Sequence, residues 1–236
     1  MSKLTPSQSE TTFAERLKFV QSAMECAANR AGRSASDITL IGVSKTVGRD
    51  AADAAYGAGL RHFGENRVQD AAAKFAAARP DGSRLHMIGQ LQSNKAKLAV
   101  QVFDVIESVD RPSVIAALRS AVAGRERPFP ILLQVNIARE PQKSGCAPED
   151  VEKLVATLIA ISELDLQGLM TIAPLTDDPE DVRPVFAGLR DLRDALRNTN
   201  PGLELPTLSM GMSNDFAVAI EEGATHVRVG RALFHG

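Results

Sequence analysis

Residues Ile38 to Lys45 read ITLIGVSK, an apolar segment of strand-forming side chains that runs directly into a lysine. Side chains alternate between the two faces of a strand, so Lys45 is expected to share a face with Ile41 and Val43. A buried amine is costly unless it is neutral, paired or covalently used. Considered alone, the segment favours a lysine whose amine extends past the strand end into water. The rest of the chain has to decide whether Lys45 has a chemical role.

A short strand alternates with a helix along the whole chain. Helical spacing predicts a first helix from Phe13 to about Gly32, after a loose tail over residues 1–8. Strands are predicted over residues 38–45, 60–64, 85–88, 103–108, 129–137, 166–172, 207–210 and 226–229, and helices follow them over residues 50–58, 65–79, 92–100, 112–123, 149–162, 179–197, 215–222 and 231–234. Eight such units predict an α/β fold, a single (β/α)8 TIM barrel spanning residues 1–236. An open doubly wound sheet is the alternative, but no GxGxxG motif follows the first strand.

Composition and charge restrict the classes of function. The chain has 27 basic and 29 acidic residues, a formal net charge of −2, which gives no general reason to expect nucleic acid or an anionic membrane as a partner. No apolar run reaches the roughly 18 residues of a membrane span, and the polar N-terminus lacks the apolar core of a secretory signal. Cys26 and Cys146 fit no metal-binding or disulfide pattern. We therefore expect a cytoplasmic protein without a metal site.

Polar residues and glycines follow the predicted strands, at the end where barrels of this type carry their functional groups. Examples are Ser44-Lys45, Gly64-Glu65-Asn66, Ser209-Met210-Gly211-Met212-Ser213 and Arg228-Val229-Gly230-Arg231. Helices predicted to open near Ser213 and near Gly230 would present free backbone N–H groups to an anion. Loops after the seventh and eighth strands are also the usual phosphate site of this fold. Simple capping of a helix by Ser213 or Asp215 is the alternative.

Arg228 is expected on the same face of the eighth strand as His226 and Gly230. If that face points inward, a guanidinium lies in the barrel mouth and needs an acceptor such as a carboxylate or a ring nitrogen. A salt bridge to Glu65 or Glu107 is the simpler explanation. A lysine, an arginine and a phosphate site would suit a phosphorylated aldehyde, which a lysine amine binds as a Schiff base. A sugar phosphate, as in an aldolase, and pyridoxal 5′-phosphate (PLP) both fit, and Arg228 favours PLP because an arginine can face the pyridine nitrogen.

A set of segments in a fixed order resembles the pyridoxal phosphate homeostasis proteins, also called the YggS or PROSC family, whose barrel is similar to the N-terminal domain of alanine racemases. The segments cover nearly the whole chain. They are Gly42-Val43-Ser44-Lys45, Phe63-Gly64-Glu65-Asn66, His86-Met87-Ile88-Gly89, Leu91-Gln92-Ser93-Asn94-Lys95, Asn136 with Lys143-Ser144-Gly145, Gly168-Leu169-Met170, Ser209-Met210-Gly211-Met212-Ser213 with Asp215, and Val227-Arg228-Val229-Gly230. Any one of these short segments is weak evidence, whereas the ordered set is specific.

The resemblance implies a fold-type III barrel that holds PLP as a Schiff base on Lys45 and places Arg228 at the pyridine nitrogen. An arginine, unlike an acidic partner, does not keep that nitrogen protonated, so the ring is a weaker electron sink. The resemblance also implies that the phosphate is held by Ser213, Gly230 and Arg231, in a loop shaped by Ser209 and Gly211. It places Asn66 near the ring.

Two classes of function are compatible with such a site. The resemblance implies a non-catalytic carrier that stores, delivers or buffers PLP in vitamin B6 homeostasis, with apo forms of PLP enzymes as candidate recipients. The alternative is an amino-acid racemase, which needs a base on each face of the substrate α-carbon, one of them Lys45. In the two-domain racemases that the family resembles, the second base is a tyrosine of an added β-domain, and this sequence ends after its eighth strand.

The other candidates for a second base are weak. Tyr56 is the only tyrosine and is predicted in the helix after the first strand, and His86 is better explained as a packed strand histidine. We therefore expect a carrier without dedicated turnover, a monomer, with a dimer as the alternative. Two positions depart from the family's pattern: Arg67 stands where a tyrosine is common, and His235 where a glycine is usual. Neither is expected to touch the cofactor residues.

Overall fold

Eight parallel strands form a closed barrel, in the order in which they occur along the chain. The structure is a computed structural model and describes residues 12–76 and 79–235. The strands are β1 (Thr39–Val43), β2 (His62–Glu65), β3 (Arg84–Met87), β4 (Val105–Val109), β5 (Phe129–Gln134), β6 (Leu164–Met170), β7 (Thr207–Ser209) and β8 (His226–Val229). Because β1 pairs with β8, the sheet has no free edge, and the predicted TIM barrel is confirmed. The predicted tail over residues 1–8 lies outside the described residues.

Helices cover the outside of the barrel. They are α1 (Phe13–Arg30), α2 (Arg49–Gly57), α3 (Val68–Lys74), α4 (Ala96–Val102), α5 (Pro112–Val122), α6 (Val151–Ile159), α7 (Arg183–Thr199), α8 (Phe216–Glu221) and α9 (Arg231–Phe234). The first helix begins with a capping box, in which Thr12 and Glu15 each accept the other's backbone N–H. This α1 packs against α8 and α9, the helices that flank β8. None of the described helices is long and apolar enough to cross a membrane.

Some predicted boundaries are wrong, most consequentially at β1. The strand ends at Val43, because Val47 donates its N–H to the Ser44 carbonyl and this turn takes Lys45 out of the sheet. Similarly, β5 ends at Gln134 rather than at residue 137. The helix predicted over residues 65–79 is shorter, with residues 77–78 outside the description, and 3₁₀ turns precede three of the later helices, at Ser93–Lys95, Pro148–Asp150 and Pro179–Val182.

The inward-facing residues of β1 and β8 line cavities at both ends of the barrel interior. Thr39 and His226 line a cavity at the N-terminal ends of β1 and β8, whereas Val43 and Gly230 line a cavity at the C-terminal ends. The inward face of β8 therefore carries His226, Arg228 and Gly230, as the alternation predicts. Between the two cavities lie buried polar groups where many TIM barrels have branched apolar side chains.

Candidate functional site

A cavity of about 290 Å³ opens at the C-terminal end of the barrel. Five predicted site residues line it, namely Lys45, Ser213, Arg228, Gly230 and Arg231. We call it the Lys45 cavity; its remaining lining residues are Val43, Thr46, Pro174, Leu175, Met212, Asn214, Asp215 and His235. Its volume is near the lower limit of small-molecule pockets, roughly 300 Å³. Residues from β1, the β7–α8 loop and the end of β8 thus converge on one space large enough for a small ligand.

Lys45 presents an exposed side chain to this cavity from the turn after β1. The residue shares the inward direction of Val43, as predicted, although it lies beyond the strand. No ion pair involves Lys45 within residues 12–76 and 79–235. An amine without a carboxylate partner is available to react with a carbonyl once it is deprotonated.

The backbone just before Lys45 is held from below by a buried ion pair. Lys74 of α3 donates from Nζ to the Ser44 carbonyl and to Glu65 Oε1, at 2.7 Å each. The Ser44 hydroxyl donates to the same Glu65 oxygen, also at 2.7 Å. Because Glu65 and Ser44 are fully buried, this network fixes the turn that carries Lys45 while leaving its side chain free.

Arg228 reaches the cavity from β8 and is only 3% exposed. Its Nη1 donates to Ser209 Oγ and its Nη2 to the Thr171 carbonyl, at 2.7 Å each. The predicted alternative, a direct salt bridge to Glu65 or Glu107, is not among the described ion pairs. Burial lowers the pKa of Arg228, and the charges of Glu107 and Asp215 oppose this effect. An arginine remains charged under these conditions, so the site contains a fixed cation.

Glu107 lies one hydroxyl group away from that cation. Ser209 Oγ donates to Glu107 Oε2 at 2.5 Å, and His86 Nδ1 lies 2.7 Å from Glu107 Oε1. Burial alone would raise the pKa of Glu107. The hydrogen bond that His86 donates and the positive charge of Arg228 outweigh burial and lower the pKa to about 2. Glu107 is therefore a carboxylate at neutral pH.

The loop after β7 depends on Gly211. Its φ of +92° is in the left-handed region, and a Cβ atom here would lie 2.6 Å from the Cβ of Ala219 and 2.9 Å from the Cα of Phe216. The Gly211 carbonyl accepts the backbone N–H of Arg228 at 2.9 Å. Glycine thus allows the loop to pack against α8 and β8 and to continue to Ser213.

Ser213 lies in the turn before α8, and the helix itself has only six residues. The N-terminal cap of α8 is Asp215, whose side chain accepts the Met212 N–H instead of capping the helix. In the described part of the chain, the Ser213 hydroxyl forms no hydrogen bond, so the predicted capping alternative is not observed. A free hydroxyl at the cavity wall can donate to a bound anion.

Comparison with known proteins identifies the family. Residues 21–236 match the family model described as alanine racemase, N-terminal domain. The chain is 40% identical over 220 residues to the pyridoxal phosphate homeostasis protein of Aquifex aeolicus (strain VF5), covering 93% of this chain and 96% of that protein. It is 41% identical over 224 residues to the protein of the same name from Pseudomonas aeruginosa, covering 95% of each. The chain belongs to the pyridoxal phosphate homeostasis protein family.

Solved structures agree with this assignment. PipY of Synechococcus elongatus PCC7942, with PLP bound, has a TM-score of 0.83 at 39% identity and covers 94% of this chain and 100% of its own. The alanine racemase of Corynebacterium glutamicum has a TM-score of 0.65 at 16% identity, covering 92% of this chain and 61% of its own. At that identity the likeness concerns the fold alone. The resemblance to the homeostasis family, predicted from the ordered segments, is confirmed.

Three residues that the family resemblance proposes for the site lie outside the lining of the Lys45 cavity. Asn66 lines a separate cavity of about 360 Å³ together with Arg67, Gln90 and Lys95. Its backbone packs on Gly89, where a Cβ atom would lie 2.2 Å from the Asn66 carbonyl oxygen. The other two support the cavity from below and behind: Ser209 is fully buried under the guanidinium of Arg228, and Gly211 shapes the β7–α8 loop.

Sequence reasoning missed His235. We expected this departure from the family's pattern not to touch the cofactor residues, and that expectation is wrong: His235 lines the Lys45 cavity and donates its backbone N–H to the Arg231 carbonyl at 2.9 Å. Its Nε2 lies 2.5 Å from the hydroxyl of Thr46, the residue after Lys45. A signal was available in the sequence: Arg231 and His235 are four residues apart, so one helical turn places both on the same side.

Proposed function

We propose that this chain binds PLP at the C-terminal end of its barrel and serves in vitamin B6 homeostasis, holding the cofactor as a Schiff base on Lys45. The observation that carries this proposal is the convergence of Lys45, Ser213, Arg228, Gly230 and Arg231 on one cavity. The names of the relatives and the PLP-bound PipY structure support the same ligand.

The lining of the Lys45 cavity fits a phosphorylated aldehyde that carries a ring nitrogen. The Lys45 amine would form the C=N bond with the aldehyde carbon, and the carbonyl oxygen would leave as water. The Ser213 hydroxyl and the backbone N–H groups at Gly230 and Arg231 would hold the phosphate, since N–H groups that open a helix have no partner within it. Bound there, PLP supplies an electrophilic carbon for amines and an electron sink.

Arg228 would face the pyridine nitrogen. A guanidinium has five N–H donors, and within the described residues two hydrogen bonds, to Ser209 and Thr171, tie it to the barrel. Its remaining donors can therefore serve a ring nitrogen that accepts. A permanently charged arginine gives that nitrogen no proton, which weakens the ring as an electron sink and suits holding the cofactor rather than turning over substrates.

We further propose that the protein is a carrier without dedicated turnover, and that it passes PLP to apo forms of PLP enzymes. The two bases considered from the sequence do not line the Lys45 cavity. Tyr56 lies in α2 and donates its hydroxyl hydrogen to the Asp81 carbonyl, and His86 is buried beside Glu107. One observation favours the racemase alternative. His235 lines the Lys45 cavity and is a candidate second base.

The absorption spectrum of the purified protein after incubation with PLP tests the proposed function. We expect a band near ~420 nm that shifts on borohydride treatment and is lost in Lys45→Ala, as lysine–carbonyl chemistry requires. The matched control is Lys95→Ala, which removes a lysine from the separate Asn66 cavity and should keep the band. Absence of the band in the unaltered protein would overturn PLP binding through Lys45.

A racemase assay separates the two classes of function. The unaltered protein and His235→Ala are tested against a panel of amino acids with PLP present. Turnover at an ordinary enzymatic rate that is lost in both Lys45→Ala and His235→Ala would establish the enzyme and overturn the carrier. We expect no such turnover.

A further inference from the structure

Five side chains form a continuous line of hydrogen bonds through the barrel interior. Arg228 Nη1 donates to Ser209 Oγ at 2.7 Å, and Ser209 Oγ donates to Glu107 Oε2 at 2.5 Å. Beyond Glu107, Oε1 lies 2.7 Å from His86 Nδ1, and His86 Nε2 lies 2.9 Å from His62 Nδ1. The line starts at the Lys45 cavity. It ends at a second cavity of about 290 Å³ at the N-terminal end of the barrel, here called the lower cavity, which His62 and His86 line.

Chemistry sets the direction of every bond in this line when both histidines are neutral. Arginine only donates, so Ser209 accepts from Arg228 and gives its single proton to Glu107. The carboxylate only accepts, so His86 carries its proton on Nδ1. A neutral His86 then accepts at Nε2, and His62 must donate from its own Nδ1. All four hydrogen bonds therefore point toward Glu107.

Glu107 is thus the counter-charge for Arg228. Both side chains are fully buried or nearly so, and a buried charge is tolerated when an opposite charge and hydrogen bonds compensate it. A second carboxylate, Asp215 in the wall of the Lys45 cavity, also acts on Arg228 through its charge. Other titratable or charged groups lie further along the line. The ring of His226 is 6.2 Å from that of His86, and Arg84 lines the lower cavity with them.

We propose that Glu107, acting through Ser209, is the positioning residue that holds Arg228 in place for the ligand of the Lys45 cavity, and that His86 and His62 fix Glu107 in turn. The identity of that ligand rests on the proposed function. Glu107, His86 and His62 lie outside the lining of the Lys45 cavity, so their effect on a ligand there has to pass through Ser209 and Arg228.

Nitrogen NMR of the histidine rings tests the line without any ligand. The chain has four histidines, so single substitutions assign the signals. We expect both rings to carry a proton on Nδ1, with His86 Nε2 accepting from His62. The amide of Glu107→Gln accepts on one side only, so this variant should change the His86 tautomer or free the Ser209 hydroxyl. A proton on Nε2 of His86 in the unaltered protein would overturn the inference.

PLP binding by Glu107→Gln tests the positioning role itself. We expect the dissociation constant for PLP to rise at least about tenfold, the scale of one lost charged hydrogen bond, and the absorption band to move. The matched control is Asp104→Asn. Asp104 accepts from Arg79 and from the Leu85 N–H away from this line, so its loss removes an acidic partner without touching Arg228.

Thermal unfolding checks that each variant is folded. If Glu107→Gln does not fold, Ser209→Ala replaces it, because that change removes the link and keeps the carboxylate. A folded variant with unchanged affinity and an unchanged band would overturn the positioning role while the proposed function stands. If the unaltered protein binds no PLP, the proposed function fails, and the histidine tautomers alone decide whether Glu107 orders the line that holds Arg228.

Discussion

Arg228 and Glu107 carry opposite charges inside the barrel, and the hydroxyl of Ser209 separates them. A direct bidentate pair would occupy one edge of the guanidinium fork. With a hydroxyl between them, Arg228 uses a single N–H to reach its counter-charge and keeps further donors for the cavity. The arrangement places a charged, oriented arginine at a ligand site and keeps the Glu107 carboxylate out of the cavity lining.

Arg228 and Glu107 should be energetically coupled despite the intervening hydroxyl. We expect Arg228→Ala to lower the free energy of unfolding by about 3 kcal/mol, because it removes the permanent counter-charge of the buried Glu107 carboxylate. Glu107→Gln should also destabilise, and the double variant should cost less than the two single changes together, by roughly 1–3 kcal/mol. Urea unfolding of the four proteins measures this coupling. Additive losses would show that the hydroxyl insulates the two charges.

Acid should destabilise the folded protein through the interior histidines. Burial, followed by nearby positive charges, lowers the pKa of His62 to about 4. Burial likewise lowers the pKa of His226 to about 4, against the charge of Glu107. Between pH 6.5 and 4 the unfolded chain binds protons that the folded chain does not. Stability is therefore full above pH 6.5 and decreases as the pH falls toward 4, by an amount on the order of 3 kcal/mol for His226 alone.

Urea unfolding at several pH values checks this dependence. His226→Gln removes one of the groups and should flatten the decrease between pH 6.5 and 4. His235→Gln is the control, since His235 is exposed at the barrel mouth and should leave the slope as it is. Equal slopes in all three proteins would contradict a role for the interior cluster.

Gly211→Ala should disturb the loop that leads to Ser213. The new Cβ would overlap Ala219 and Phe216, and the backbone would keep a φ of +92° that alanine disfavours. We expect a loss of roughly 2–4 kcal/mol in stability, the sum of backbone strain and overpacking, together with weaker PLP binding. Gly202→Ala is a matched control, because Gly202 has a φ of +89° and nothing lies within 4 Å of its added Cβ. If both variants lose the same stability, strain alone explains the effect.

The parts of the fold that could be predicted are those that depend on the local pattern of apolar and polar residues. All eight strands begin within two residues of their predicted positions, because the apolar runs are bounded by glycines and polar residues. The convergence of Lys45, Ser213 and Arg228 was also predictable, since the C-terminal ends of parallel barrel strands meet at one mouth.

Side-chain partners across the barrel were not predictable. Ser209 and Glu107 are 102 residues apart, and their contact depends on strand register and side-chain rotamers that no sequence pattern encodes. For the same reason, Ser209 was expected to shape the phosphate loop, whereas it lies beneath the guanidinium of Arg228. Asn66 was expected near the ring, and its place in a separate cavity follows from the close approach of its backbone to Gly89.

The ion pair beneath Lys45 should control both stability and the reactivity of that lysine. Lys74→Met removes the donor to Glu65 and to the Ser44 carbonyl and leaves a fully buried carboxylate without its cation. We expect a loss of about 3–5 kcal/mol in the free energy of unfolding and slower borohydride trapping of PLP on Lys45, because the turn is no longer held. Lys97→Met, an exposed position on α4, is the control and should change neither quantity. A folded Lys74→Met protein that traps PLP at the unaltered rate would show that the turn positions Lys45 without this anchor.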